Sequence, residues 1–305
     1  MKKVKIITDS QSGFSQEEAN KLGITNVAMP FLINGKDYLE GVNISIPEFF
    51  ELLKDENAEI STSQPSLGYM MEVWDELLKD NDEIVYIPMM SGLSGTCENA
   101  ARLASDEKYA GKVFVVDNLR ISVTQKESVL EALALASEGK TGAEIKAYLE
   151  ETKSNALIFI MVSTLKYLKK GGRVTPAVAA LGSMLKLKPI LATRGGNFEK
   201  STIVFSENQG KKKMIQMIKK EIEAKYQTEY EEGKISINFA HTQNEAEALA
   251  FREETMKDLP KAKYRFVDDL SLSVSCHIGA GAVGISFSVN NYMDKTPDFL
   301  LEKAK

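Results

Sequence analysis

The run Ile84-Val85-Tyr86-Ile87-Pro88-Met89 passes almost directly into Ser91-Gly92-Leu93-Ser94-Gly95-Thr96. This junction constrains the fold more than any other stretch of the chain. An unbroken apolar strand, unlike an alternating one, is covered on both faces, which is the signature of a parallel sheet flanked by helices. A glycine- and hydroxyl-rich turn at its carboxyl end then opens a helix. The same grammar recurs twice. Val4-Lys5-Ile6-Ile7 stops at Thr8-Asp9-Ser10, and Val113-Phe114-Val115-Val116 stops at Asp117.

Helix signals fill the intervals. Ser15 is placed to cap a helix that Gly23 closes, Ser45 with Glu48 and Thr141 with Glu144 form capping boxes, and a long helix is expected from about Ser122 to Ser137. Val27 to Ile33 reads as one strand, and Ser61 to Ser66 as a polar loop leading into a helix through Trp74. Residues 1–155 are therefore expected to form an α/β domain with an open, doubly wound parallel sheet.

The second half has a different texture. Leu157 to Val162 is a strand, and Leu165 to Lys170 a short helix ended by Gly171-Gly172. Pro189 to Thr193 and Phe198 to Phe205 flank the hairpin-type turn Arg194-Gly195-Gly196-Asn197. Helix 209–226, strand 234–240, helix 243–257 and strand 263–267 follow, with a last strand over 283–288. Residues 156–288 are expected to form an α+β domain with a mixed or antiparallel sheet, and 289–305 a polar tail.

With 305 residues, 43% of them hydrophobic, the chain can build two cores. A net charge of −5 argues against a nucleic-acid or anionic-membrane surface, leaving transient membrane contact at most. The basic run Lys211-Lys212-Lys213 reads as a solvated helix face. Only two cysteines, Cys97 and Cys276, point to a reducing compartment. No apolar run has the roughly 18 residues of a membrane span, and the stretch behind Met1-Lys2-Lys3 is too short for a signal peptide, so a cytoplasmic location is expected.

In open α/β sheets, ligands bind beyond the carboxyl ends of the strands. Gly92 and Gly95 are expected to let the backbone turn tightly and approach a ligand, and Ser94 and Thr96 to stand at a helix N-terminus, where free N–H groups favour an anion. The hydroxyls of Ser61, Thr62, Ser63 and Ser66 repeat that logic. For Ser66 and Thr96 simple capping is the favoured reading; for Thr62 and Ser94, ligand binding is. Arg173, after Gly171-Gly172, offers a guanidinium to an anion, although a surface arginine at a helix end is the commoner case. His277 is balanced between a structural and a binding role, whereas His241 reads as structural. Gly279-Ala280-Gly281-Ala282-Val283-Gly284 spells GxGxxG, but a strand rather than a helix follows it, so a dinucleotide site is disfavoured. No metal-ligand spacing occurs, and GxxxxGK[ST] is absent.

Taken together, Thr8-Asp9-Ser10, Thr62-Ser63-Gln64-Pro65-Ser66, Ser91 to Thr96, Leu165 through Gly171-Gly172-Arg173, Leu181-Gly182-Ser183 with Lys188-Pro189-Ile190-Leu191, and His277 through Gly284 occur in an order that resembles the bacterial DegV family of fatty-acid-binding proteins. The resemblance covers residues 3–288. It implies two domains with one long-chain fatty acid, such as palmitate, stearate or oleate, buried between them, and no other cofactor. It places Thr62 and Ser94 on the carboxylate, Ser63 and Gly95 beside them, and His277 and Arg173 near the head group. It further implies a non-enzymatic carrier that presents the acid to a separate fatty acid kinase for acyl phosphate and phospholipid metabolism. Two departures stand out: Ala280 stands where the family often has proline, and Asn118 where many members have a serine after the aspartate; neither touches Thr62 or Ser94, and the second bears on ligand preference.

The implied ligand fits elementary energetics. A buried carboxylate needs several donors to offset its desolvation. Each buried tail CH₂ contributes about 0.8 kcal/mol. Met29, Phe31, Met89, Leu165, Met184 and Leu185 are candidate tail contacts. The competing reading is a serine hydrolase with Ser94 as nucleophile, Asp268 or Asp269 as acid and His277 as base. Thr96 stands where the nucleophile-elbow motif GxSxG requires glycine.

Overall fold

The computed structural model describes residues 2–55, 57–180 and 187–302. Leu181-Gly182-Ser183 and the tail candidates Met184 and Leu185 lie outside the described residues. The chain divides into two compact units, residues 1–154 with 271–273, and residues 155–270 with 274–305.

In the first unit, β1 (Val4–Asp9), β2 (Thr25–Val27), β6 (Glu83–Ile87) and β7 (Val113–Val115) form a wholly parallel sheet in the order β2-β1-β6-β7. All five residues of β6 are buried: Ile84 to Ile87 as the unbroken apolar run requires, and Glu83 as a charged residue that accepts from the Gly142 N–H at 2.6 Å and pairs with Lys2. The helices are α1 (Gln16–Leu22), α2 (Ile46–Leu52), α3 (Leu67–Leu77), α4 (Thr96–Ala104), α5 (Val123–Ser137) and α6 (Gly142–Glu151). Capping boxes start α1 at Ser15/Glu18, α2 at Ser45/Glu48 and α6 at Thr141/Glu144, and Gly23 closes α1 in the left-handed conformation. Trp74 on α3 is fully enclosed, edge-on to Tyr109 at 5.2 Å and Tyr86 at 6.4 Å.

The expected single strand over 27–33 is instead two strands in different sheets. Val27 ends β2 in the parallel sheet. β3 (Pro30–Ile33) pairs antiparallel with β4 (Lys36–Leu39) and β5 (Ile60–Thr62) in a separate three-stranded sheet. Proline, lacking a donor, is tolerated as a first strand residue. Its carbonyl accepts from the Ser63 N–H at 3.2 Å. The expected polar loop over 61–66 accordingly begins as sheet, with Thr62 directly opposite Phe31.

The second unit holds a six-stranded mixed sheet, β10-β9-β8-β13-β11-β12. Its strands are β8 (Ala156–Met161), β9 (Lys188–Thr193), β10 (Glu199–Val204), β11 (Ile235–His241), β12 (Lys263–Asp269) and β13 (Val283–Val289). Only β11 and β12 run parallel, as a crossover through α11 (Glu245–Asp258) demands. The other helices are α7 (Lys166–Gly171), α8 (Pro176–Ala179), α9 (Glu207–Lys225), α10 (Gln227–Glu231), α12 (Leu272–Ile278), whose first two residues belong to the first unit, and α13 (Asp298–Glu302). Phe239, Phe251, Phe287, Ile218 and Met214 centre its core. The segment after β13, expected to be a polar tail, buries Met293 and Leu300.

Candidate binding site

In the first unit two loops meet. Ser66 Oγ caps α3 by accepting from the Tyr69 N–H at 3.1 Å. Asn99 on α4 donates through Nδ2 to Gln64 Oε1 at 3.0 Å, tying the 62–66 segment to the start of α4. The 91–96 loop is anchored on its other side, where Ser91 Oγ donates to Asp117 Oδ2 at 2.7 Å.

Capping of α4 differs from expectation. Thr96 is the first helical residue, and its N–H donates back to Ser94 Oγ at 3.2 Å; the two hydroxyls lie 2.9 Å apart. When Thr96 donates to Ser94, the Ser94 oxygen is saturated as an acceptor and its hydrogen is left for an anion. In the opposite sense Ser94 donates to Thr96 and it is the Thr96 hydrogen that is left, so the pair has one hydroxyl hydrogen to offer in either case. The glycine argument also changes. Neither Gly92 nor Gly95 has a positive φ, and Gly95 sits at φ −73°, ψ −2°, a conformation open to any residue. A Cβ on Gly95 would meet Gln64 Oε1 at 3.6 Å, an ordinary contact. Gly95 is thus required neither by backbone conformation nor by crowding from within the chain.

Thr62 is half-buried on β5. Directly opposed residues share a sheet face, so Thr62 stands beside Phe31, whose ring stacks on Tyr38 at 5.7 Å and meets Phe49 edge-on at 5.5 Å. Met29, Phe31, Met89 and Leu165 are all buried. Phe31 is thereby committed to an aromatic cluster of the core.

Two carboxyls that sequence reasoning passed over lie in the same unit. Asp9, fully buried at the end of β1, accepts from the Met89 N–H at 2.9 Å, Gln125 Nε2 at 3.0 Å and the Gln11 N–H at 3.2 Å. Burial nevertheless dominates and pushes its pKa up to about 6. Glu40 accepts from Ser10 Oγ at 2.7 Å and from the Leu272 N–H at 2.5 Å, and enclosure of its carboxyl raises its pKa to about 7. Asp9 lies within the Thr8-Asp9-Ser10 motif and Glu40 outside every quoted motif, and no local pattern reveals that a carboxyl is enclosed.

In the second unit the structure brings His277 and Arg173 together. The Cβ position of Gly171 lies 2.0 Å from His277 Nδ1, and Arg173 Nη1 donates to the Gly171 carbonyl. Burial first, and the Arg173 charge second, lower the His277 pKa to about 4, so at neutral pH the imidazole is neutral and the guanidinium carries the charge. The GxGxxG segment joins α12 to β13, the wrong context for a dinucleotide, as expected. Gly279 and Gly281 have φ of +77° and +80°, and side chains there would strike Tyr167 and Ser163. A Cβ on Gly284 would come within 3.1 Å of the Phe159 carbonyl on neighbouring β8. The glycines thus serve close packing.

The hydrolase alternative loses one acid, because Asp269 Oδ1 lies 3.2 Å from His241 Nδ1. Among the described residues there is no cluster suited to a metal ion, and no helix is long and apolar enough to cross a membrane. Cys97 and Cys276 are buried and free of disulfides.

A parallel-sheet unit carrying paired hydroxyl loops, followed by a mixed-sheet unit carrying a His–Arg pair, defines a two-unit α/β protein. The chain belongs to the DegV family, whose model, described as uncharacterised proteins, matches residues 3–290. A DegV domain-containing protein of Staphylococcus aureus (strain N315) is 30% identical over 290 residues, covering 93% of this chain and 98% of its own. One from Deinococcus radiodurans is 31% identical over 287 residues, covering 93% and 97%. Among solved structures, a DegV family protein from Thermus thermophilus described as fatty-acid-binding superposes with a TM-score of 0.84 at 27% identity, covering 94% of this chain and 99% of its own. A stearic-acid-binding protein from Eubacterium ventriosum shares the fold, with a TM-score of 0.83 at 22% identity and coverage of 94% and 98%.

Proposed function

We propose that this protein binds one long-chain fatty acid such as palmitate, stearate or oleate, its carboxylate held by the Thr62 and Ser94 hydroxyls with Ser63 and Gly95 beside them. The observation that carries this reading is the full-length likeness to the Thermus thermophilus fatty-acid-binding protein. The Ser94–Thr96 hydroxyl pair supports it, because the pair leaves one hydroxyl hydrogen to offer beside the start of α4. In the second unit, His277 and Arg173 are further fatty-acid-binding residues of this reading, Arg173 supplying positive charge and His277 a neutral imidazole.

The protein acts as a carrier and not as a catalyst. A separate fatty acid kinase phosphorylates the presented carboxylate, and the acyl phosphate feeds phospholipid metabolism. Native mass spectrometry of the purified protein tests the binding step, with one co-purifying or added fatty acid per chain expected. A protein that arrives empty and takes up neither palmitate nor oleate refutes it. Incubating the loaded protein with ATP and a fatty acid kinase tests the second step. Acyl phosphate is expected with wild type and reduced with Ser94→Ala, and its absence with wild type refutes presentation.

A further inference from the structure

Gly171 ends α7 with an ordinary helical φ, whereas the left-handed turn that closes the helix is made by Gly172 at φ +69°. Backbone conformation therefore explains Gly172 and not Gly171. Within a helix, alanine is favoured over glycine. The position is explained by what occupies the missing side chain's place: a Cβ on Gly171 would lie 2.0 Å from His277 Nδ1 and 2.6 Å from its Cε1. The same residue's carbonyl accepts from Arg173 Nη1.

We propose that Gly171 is a positioning residue for the head-group cluster: its bare Cα seats the His277 imidazole, and its carbonyl aims the Arg173 guanidinium. The inference rests on the fatty-acid-binding reading for what the cluster holds. Two further glycines serve the same approach. Gly279 lies against the Tyr167 ring, and Gly281 against Ser163, whose Oγ donates to the Gly281 carbonyl at 3.0 Å. Segment 163–171 thus packs against the chain that follows His277 at two points besides Gly171, so the imidazole cannot retreat by moving its backbone. A methyl group at 171 must rotate the ring instead. The atoms it meets belong to a side chain with rotatable bonds, so the fold survives while the ring is displaced.

Gly171→Ala, His277→Ala and the double variant test this against wild type, with oleate binding followed by titration calorimetry and the imidazole by NMR. The chain has only two histidines, so His277→Ala assigns the signal. Gly171→Ala is expected to weaken oleate binding about tenfold, equivalent to about 1.4 kcal/mol. It should also move the His277 titration upward from about 4 as the ring leaves its enclosed seat beside Arg173. In the His277→Ala background, adding Gly171→Ala should cause little further loss. Gly196→Ala, where a Cβ meets nothing within 4 Å, should change neither readout. An unchanged His277 titration in Gly171→Ala, or fully additive losses in the double variant, overturns the positioning role while leaving the proposed function intact. A wild type that binds no oleate overturns the head-group assignment together with that function.

Discussion

Asp9→Asn turns a buried charge into a test of linkage. The Asp9 carboxyl has a pKa of about 6 in the folded protein against 3.8 ordinarily. A carboxyl with a raised folded pKa contributes stability that is fully present below pH 4 and is lost as pH rises through 6, because the folded state holds the proton longer than the unfolded chain does. A shift of about two units is worth roughly 3 kcal/mol. Asparagine does not titrate, so it abolishes this slope. It also has a fixed cost: with its oxygen on Gln11 and Gln125, its amide faces the Met89 N–H, donor against donor, at about 1–3 kcal/mol. The deficit of Asp9→Asn relative to wild type should therefore be largest near pH 4 and shrink by about 3 kcal/mol by pH 8. Urea unfolding followed by fluorescence of Trp74 measures this in the right unit, since Trp74 is the chain's single tryptophan and lies in the same core. Glu40 remains in both proteins, and because the Asp9 charge is the smallest of the causes that set its pKa, most of its contribution cancels in the difference. Parallel stability curves for the two proteins from pH 4 to 8 would refute the assignment of a raised pKa to Asp9.

Other outcomes follow from the same geometry. Gly95→Ala should leave unfolding unchanged within about 0.5 kcal/mol, since its Cβ meets only ordinary contacts, yet lower fatty-acid affinity in native mass spectrometry. Gly142→Ala should cost about 1–3 kcal/mol in the Trp74-monitored transition, because its Cβ would lie 2.4 Å from the Phe114 ring. Glu131→Ala removes one member of a buried pair with Arg120, 3.6 Å apart, and should destabilise the protein by about 3 kcal/mol or more in chemical denaturation.

The elements legible in sequence were those whose cause is local. Capping boxes at Ser45 and Thr141, the Gly23 closure and the apolar run of β6 each depend on residues within a few positions. The split of 27–33 was hidden because partner strands, β1 on one side and β4 with β5 on the other, decide which sheet each piece joins. The site divides similarly. Hydroxyl-rich segments single out Thr62 and Ser94 as candidates from the chain alone, whereas the placing of Thr62 on β5 and the pairing of Ser94 with Thr96 depend on folding that no pattern encodes. Gln64 was visible within its motif, but its partner Asn99 sits on another element and is revealed only by folding. The seat of His277 on Gly171 joins residues far apart in sequence, and periodicity carries no information about such a contact.

Residues 271–273 group with the first unit although the chain around them belongs to the second. Glu40 accepts the Leu272 N–H and so grips this excursion where it enters α12. A fragment ending at residue 154 would lack that visitor and leave an enclosed carboxylate short of a donor, while one beginning at 155 would carry three residues torn from their lodging. The chain therefore crosses between the two units three times and not once.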